Sequence, residues 1–181
     1  MLLHLLRHGE STWNVEGRVQ GQAMDVELTP TGVRQAGEAA QAMRDLDLLA
    51  VLSSDQTRAM RTAEIVSRPH GLTPVPHAWL REQDTGEFTG RLSSELRPEP
   101  VPDGLDISEI RWGGGESILD VYRRMTQGLE WLRGHYPADA ELALVGHADS
   151  LRVLLAVIDG RTHREVEWSP LGHCQPVTRT I

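Results

Sequence analysis

Lysine is absent from this 181-residue chain, so all 18 basic residues are arginines. That absence excludes a Schiff-base lysine and the lysine of a phosphate-binding loop. The chain has a single cysteine, Cys174, which cannot form an intramolecular disulfide and has no metal-ligand spacing around it. This agrees with a reducing compartment. Because Met1 is followed directly by fold-forming sequence, we also expect no secretory signal and a cytoplasmic location.

Long apolar runs and excess positive charge are missing as well. No run approaches the length that a bilayer requires, so we expect no membrane partner. The net charge of −8, from 26 acidic and 18 basic residues, argues against a nucleic-acid partner. Any bound anion must therefore be met by a few arginines gathered locally. The length fits one domain over 1–181, and both a monomer and a homodimer are compatible with it.

Apolar runs of strand length alternate with helical patterns along the chain. Strands are predicted at 1–6, 48–55, 73–77, 141–146 and, as an edge strand, 176–181. Helices are predicted at 31–44, behind an N-cap at Thr29, and at 147–158. A third is predicted over the stripe of Ala59, Ala63 and Val66, capped by Ser54 or Asp55. A fourth is predicted from Ser117 to just before Pro137. This order predicts an α/β fold with three α/β/α layers and a mostly parallel central sheet.

Residues 83–115 interrupt the alternation, with a cluster of Pro98, Pro100 and Pro102. We interpret them as a loop-rich insert beside the functional site. The GGGES sequence within and after this insert lacks a GK[ST] ending, which favours a turn and helix cap over a phosphate-binding loop.

Charged and imidazole side chains follow the points where the predicted strands end. Arg7 and His8 end the first strand, Arg58 follows the second, Glu82 follows the third and His147 follows the fourth. In open parallel sheets ligands bind outside the carboxyl ends of the strands. We therefore expect these five side chains to converge at one edge of the sheet.

This residue set suits phosphoryl transfer through a histidine nucleophile. A neutral imidazole attacks phosphorus in line, while guanidinium groups and a second imidazole hold the equatorial oxygens. Arginines beside His8 raise the cost of protonating its ring and so keep it nucleophilic. The departing alkoxide needs a proton, for which Glu82 is the first candidate and Asp84 and Glu87 are the rivals. Asn14, the only asparagine, adds an amide donor.

Five motifs resemble the histidine phosphatase superfamily, in the branch similar to cofactor-dependent phosphoglycerate mutases and small bacterial phosphatases. In chain order they are LLRHGESTWN, SSDQTRAMRTAE, LREQDTGEFTG, GGGES and VGHADSLR. RHG alone is a weak signal, whereas RHGEST followed by SxxxTRAxxTA and a late GHA is a specific combination. The resemblance covers most of the chain and implies a phosphoglycerate mutase-like fold.

The resemblance also implies roles for individual residues. His8 is the residue phosphorylated during turnover, Arg7, Arg58 and His147 form the phosphate pocket, and Glu82 donates the proton. No metal or other cofactor is implied. Substrate binding is further assigned to Asn14, Gln20 and Ala148.

The favoured function is hydrolysis of a small phosphomonoester, and a mutase is the alternative because it shares the same covalent intermediate. The short chain has little room for a lid that retains product, and it lacks a dense basic cluster for a substrate carboxylate. A metallohydrolase with His8, Glu10, His147 and Asp149 as ligands is disfavoured because two nearby arginines repel a dication. A non-catalytic phospho-ligand binder is disfavoured because every expected catalytic position is filled.

Overall fold

One five-stranded sheet forms the centre of the molecule, and the computed structural model describes residues 1–97 and 100–181. The spatial order is β3-β2-β4-β1-β5, with β5 antiparallel to β1 and every other neighbour parallel. All five predicted strands are confirmed, including the edge strand at the end of the chain. They are β1 (Leu2–Arg7), β2 (Ala50–Ser53), β3 (Val75–Pro76), β4 (Glu141–Gly146) and β5 (Val177–Thr180).

Helices cover both faces of this sheet. The predicted helices are confirmed. A further short helix, α1, follows β1, where no helix was predicted. The helices are α1 (Thr12–Glu16), α2 (Pro30–Met43), α3 (Thr57–Ser67), α4 (Ile118–His135) and α5 (Ala148–Ile158). None of the described helices combines the length and apolarity that crossing a membrane requires.

Alternate residues of the central strands pack into two separate cores. Leu3 and Leu5 of β1 join α4 and α5 in one core, whereas Leu6 joins α2 and α3 in the other. The same alternation holds in β4, where Leu144 and Val145 face opposite sides. Burial of each such leucine contributes roughly 1.5–3 kcal/mol, so both helical layers are fastened to the sheet. The three-layer α/β/α fold is thus confirmed.

Side-chain caps set most of the helix starts. Thr29 caps α2 by accepting a hydrogen bond from Gly32 N at 3.0 Å, as expected. Ser117 caps α4, which confirms the turn-and-cap interpretation of GGGES. The cap predicted for α3 is wrong. That helix begins after Gln56 without a side-chain cap, because the Asp55 carboxylate pairs with the Arg81 guanidinium at 2.7 and 2.5 Å instead.

The segment 83–115 is irregular, as expected, and its described residues hold only single-turn 3-10 helices. Pro98 of the predicted proline cluster lies outside the described residues. The turns at 86–88 and 112–114 pack backbone to backbone. They approach so closely that a Cβ on Gly86 would overlap the Gly113 carbonyl group. Gly86 and Gly113 also have positive φ angles of 50° and 63°, which other residues rarely adopt.

The loop after β1 is held against α2 by a contact between two backbones. A Cβ on Gly32 would overlap the Glu10 carbonyl oxygen, and one on Gly9 would overlap the Gly32 carbonyl. Gly9 N also donates to Thr62 Oγ1 of α3 at 3.1 Å. The position of this loop, and of His8 directly before it, therefore depends on two residues without side chains.

Replacing Gly32 with alanine is expected to destabilise the fold by about 1–3 kcal/mol, because the added methyl group forces α2 away from the loop. Gly37→Ala in the same helix is the matched control, since nothing lies within 4 Å of its added methyl group. That control is expected to stabilise by about 0.5–1 kcal/mol through a smaller backbone entropy loss. Urea unfolding of both variants measures the difference, and equal free energies of unfolding would contradict the close-packing argument.

Candidate active site

The two central strands bring the two predicted imidazoles together. β1 and β4 are parallel neighbours, with Arg7 paired in register to Gly146, so His8 and His147 leave the sheet side by side. Their ring centroids lie 5.1 Å apart, and both side chains are buried. This geometry agrees with the expectation that the two imidazoles lie together at the carboxyl ends of the strands.

The His8 ring is held in one tautomer. Its Nδ1 donates to the Gly9 carbonyl oxygen at 2.7 Å, which leaves the lone pair on Nε2. Burial lowers the pKa of His8 well below its ordinary value, and the charges of Arg58 and Arg7 lower it further. The ring is therefore neutral at physiological pH, as a nitrogen nucleophile must be.

Arg58 lies in the first turn of α3 and is completely buried. Its Nη1 and Nη2 donate to the carbonyl oxygens of Ala23 and Gly21, at 2.8 and 3.0 Å. Burial lowers the pKa of Arg58 to about 10, although the charge of Glu82 acts to raise it. The guanidinium group therefore remains charged at neutral pH. Two of its nitrogens are thus used to hold the side chain in place.

Four buried nitrogen atoms near His8 have no hydrogen-bond partner among the described residues. They are Arg7 Nε, Arg58 Nε and both ring nitrogens of His147. Buried polar atoms are nearly always paired, so a cluster of unpaired ones requires an explanation. An anion with several oxygens, such as a phosphoryl group, can accept hydrogen bonds from the Nε–H groups of Arg7 and Arg58 and from one ring N–H of His147.

Glu82 lies at the N-terminus of α5, which begins directly after His147. Its carboxylate accepts hydrogen bonds from the backbone N–H groups of Ser150, Asp149 and Gln83, at 2.9, 3.3 and 2.9 Å. Burial raises the pKa of Glu82, and the nearby Asp149 carboxylate raises it further, while these three donors oppose the rise. The carboxyl group is therefore held close to the imidazole pair in an environment that favours its protonated form.

The two rival proton donors occupy other places. Asp84 Oδ1 accepts a hydrogen bond from Gly86 N at 2.9 Å and closes a turn of the insert. Glu87 is exposed. Of the three carboxyl groups considered from the sequence, Glu82 is the one bound to the helix that starts at His147.

Arg124 of α4 holds the segment that carries Glu82, a role that sequence reasoning missed. Its Nη1 donates to the carbonyl oxygens of Trp79 and Arg81, at 2.7 and 2.9 Å, and its Nη2 donates to that of Glu82 at 3.3 Å. The guanidinium also pairs with Glu116 at 2.7 Å. Glu116 belongs to the GGGES motif, which was the one sequence signal for this contact. The two adjacent arginines of α4 cannot be distinguished from the sequence.

The three remaining predicted binding residues lie around the same edge. Asn14 caps α1 through its amide oxygen, which accepts from Ser11 N at 3.0 Å, so its NH2 group is the end left to donate. Gln20 Oε1 accepts from Ser11 Oγ at 2.9 Å. Ala148 is the first residue of α5, and its backbone N–H has no partner within the helix.

His173 also lies beside the site, an approach that sequence reasoning missed. Its ring centroid lies 5.7 Å from that of His8, and its Nδ1 donates to the His8 carbonyl oxygen at 2.8 Å. Because the chain returns to the edge of the sheet after α5 through an irregular segment, no periodic pattern marks this approach.

The carboxylates of the metallohydrolase alternative are engaged elsewhere. Glu10 accepts a hydrogen bond from Thr29 Oγ1 at 2.7 Å, and Asp149 pairs with Arg152 at 2.5 Å. The described residues contain no cluster of three or more histidine, cysteine or acidic side chains arranged to hold a metal. The geometry thus gives that alternative no support.

Comparison with known proteins identifies the family. The model of the histidine phosphatase superfamily (branch 1) matches residues 3–178. The chain belongs to this superfamily. One curated relative, a probable phosphoglycerate mutase from Yersinia pestis, is 35% identical over 164 residues, which cover 87% of this chain and 74% of the relative.

Solved structures with the same fold include phosphatases. A mycobacterial glucosyl-3-phosphoglycerate phosphatase in complex with VO3 is 27% identical, with a TM-score of 0.86 over 98% of this chain and 90% of that one. YhfR from Bacillus stearothermophilus is 25% identical, with a TM-score of 0.81 over 98% and 89% of the two chains. This histidine phosphatase superfamily member therefore has a phosphoglycerate mutase-like fold.

Arg58→Met is expected to weaken binding of inorganic phosphate at least about 30-fold, since losing a buried charged partner costs about 2 kcal/mol or more. Arg61→Met is the matched control, because Arg61 lies one turn along the same helix but is exposed and pairs with Glu64 at 2.9 Å. Calorimetric titration measures both affinities, and thermal unfolding without phosphate checks that each variant is folded. Equal affinities would show that the unpaired nitrogens are not an anion site.

Proposed function

We propose that this protein hydrolyses a small phosphomonoester through a phosphohistidine intermediate on His8. The observation that carries this proposal is the cluster of four unpaired buried nitrogens beside an imidazole whose lone pair is on Nε2. Membership of the superfamily and the phosphatases among the structural neighbours support it.

The reaction then proceeds in two steps. His8 Nε2 attacks phosphorus, the P–O bond to the alcohol breaks, and Glu82 gives its proton to the departing oxygen. Arg7, Arg58 and His147 bind the oxygens of the phosphoryl group and stabilise their charge. A water molecule then attacks phosphorus, Glu82 takes a proton from it, and the P–N bond breaks to release inorganic phosphate and restore His8.

The alternative is a mutase, which the name of the Yersinia relative favours. A phosphoglycerate substrate needs a cation for its carboxylate, but the arginines described in the insert are engaged elsewhere. Arg91 lies over the Phe88 ring, 6.0 Å from its centroid, and Arg111 pairs with Asp120 at 2.8 Å. Arg97 donates to backbone carbonyl groups of its own segment. Hydrolysis is therefore the better supported reaction.

We also propose that this reaction needs no metal or organic cofactor, because guanidinium groups occupy the place where a metal ion would neutralise the phosphoryl charge. A phosphorylated small molecule is the proposed partner, with no nucleic acid or membrane involved. The single cysteine supports a cytoplasmic location.

Trapping the intermediate tests the proposed function. Rapid denaturation during turnover of a 32P-labelled monoester is expected to yield protein-bound phosphate that is stable to base and labile to acid, located on His8. His8→Ala is expected to carry no label, while His135→Ala, in which an exposed histidine is removed, is expected to label normally. No label at His8, or fast interconversion of phosphoglycerates with slow phosphate release, would contradict the proposal.

Glu82→Gln is expected to lower kcat on an alkyl phosphate about 10²–10⁴-fold and to affect p-nitrophenyl phosphate far less, because nitrophenolate leaves without a proton. Glu82 acts in its protonated form and its pKa is raised, so wild-type activity on the alkyl ester falls as pH rises through that pKa. This basic limb is expected to disappear in the variant.

Asp84→Asn is the matched control, since asparagine retains the oxygen that accepts from Gly86 N. Its pH profile on the alkyl ester is expected to match that of the wild type. A larger loss in Asp84→Asn than in Glu82→Gln, measured as the ratio of kcat on the two esters, would assign the proton donor to Asp84.

A further inference from the structure

A mainly apolar cavity of about 450 Å³ lies within the insert region. This volume is in the range of small-molecule binding sites. The side chains that give the cavity its apolar character are Val19, Phe88, Leu96, Ile107 and Trp112. None of these residues has a role in the chemistry at His8.

Both walls of this cavity continue segments that build the phosphate site. Gln83 lines the cavity and directly follows Glu82, the proposed proton donor. Val19 also lines it and directly precedes Gln20, whose side-chain oxygen accepts a hydrogen bond from Ser11 Oγ. The oxygen of the leaving alcohol must lie beside Glu82 to receive its proton, and the next residue, Gln83, lines this cavity, so the cavity is the candidate site for the rest of that alcohol.

The walls are held in place before any ligand arrives. Gln83 Nε2 donates to the Glu116 carbonyl oxygen at 2.7 Å. A Cβ on Gly113 would lie 3.1 Å from the Phe88 ring, which shows how closely the turn that carries Trp112 packs against Phe88. A rigid apolar cavity loses little conformational entropy on binding and gains affinity for a group of matching size.

The cavity offers little to a carboxylate. Of its lining residues that the structure describes, Arg97 alone carries a charge, and its Nη1 donates to the carbonyl oxygens of Ser94 and Leu96 at 3.0 and 3.3 Å. The carboxylate of a glycerate or serine leaving group would thus lose hydration in mainly apolar surroundings, with Arg97 as the one cation among the described lining residues.

Building on the phosphatase function proposed above, we propose that this cavity binds the alcohol portion of the substrate. The enzyme accordingly selects phosphomonoesters whose leaving group carries an apolar group of about ring size, in preference to phosphoglycerate or phosphoserine.

Cyclohexyl phosphate and 3-phosphoglycerate provide the test, because both release an alkoxide and differ in the character of the leaving group. In the wild type, kcat/KM is expected to be at least about tenfold higher for the cyclohexyl ester, the size of effect that filling an apolar pocket gives. Calorimetric binding of both esters to His8→Ala repeats the comparison without turnover.

Ile107→Arg adds a second cation to the cavity beside Arg97, and because Ile107 is 63% exposed the fold is expected to tolerate it. This variant is expected to lower kcat/KM for the cyclohexyl ester at least about tenfold and to raise that for 3-phosphoglycerate. Leu49→Arg is the matched control, since Leu49 is 51% exposed and precedes β2 at the opposite end of the sheet. It is expected to change neither value, and both variants are expected to bind inorganic phosphate as the wild type does.

The outcomes separate the two proposals. Equal kcat/KM values for the two esters, unchanged by Ile107→Arg, would overturn the cavity proposal and leave the phosphatase function standing. If the enzyme hydrolyses no monoester, the phosphatase function fails, and the binding comparison in His8→Ala still decides the cavity. Preference for 3-phosphoglycerate in both measurements would overturn the cavity proposal outright.

Discussion

The constraint around which this molecule is arranged is the placement of a buried Arg58 and a half-buried Arg7 beside two buried imidazoles, with four nitrogens of these side chains unpaired among the described residues. Leaving a buried polar atom without a partner costs roughly 1–3 kcal/mol, so these nitrogens favour a ligand that accepts their hydrogen bonds. The two apolar cores on either face of the sheet offset this cost. In the proposed reaction the same arrangement favours an arriving phosphoryl group, since the group accepts these hydrogen bonds and carries the opposite charge.

The side chains of the candidate site keep their places because residues outside the proposed chemistry hold them. Arg124 and Glu116 fix the backbone that carries Glu82, and the contact of Gly9 with Gly32 fixes the loop after His8. These supports come from α2 and from α4 with the turn before it, which are distant from each other in the chain. The geometry of the site is therefore a property of the whole fold, in which each helical layer contributes one fixed point.

Sequence periodicity was sufficient for the strands and the long helices, because alternate burial in β1 and β4 and the stripe of α4 leave clear patterns. It failed for α1, whose five residues are too few to show a helical period, although the Ser11 and Asn14 capping pair was a usable signal. It also failed to distinguish Arg124 from Arg123, since only packing separates two adjacent arginines. His173 was missed because its approach to His8 depends on an irregular return of the chain.

Within the Arg58 side chain, the nitrogens that hold the guanidinium group in place differ from the one that is left to bind an anion. Its two terminal nitrogens are tied to the backbone at Gly21 and Ala23, while Nε alone stays free. Departure of the anion consequently breaks none of the bonds that orient the guanidinium. In the proposed reaction the Arg58 charge is therefore already oriented when each phosphoryl group arrives, and no reorganisation of this side chain is required.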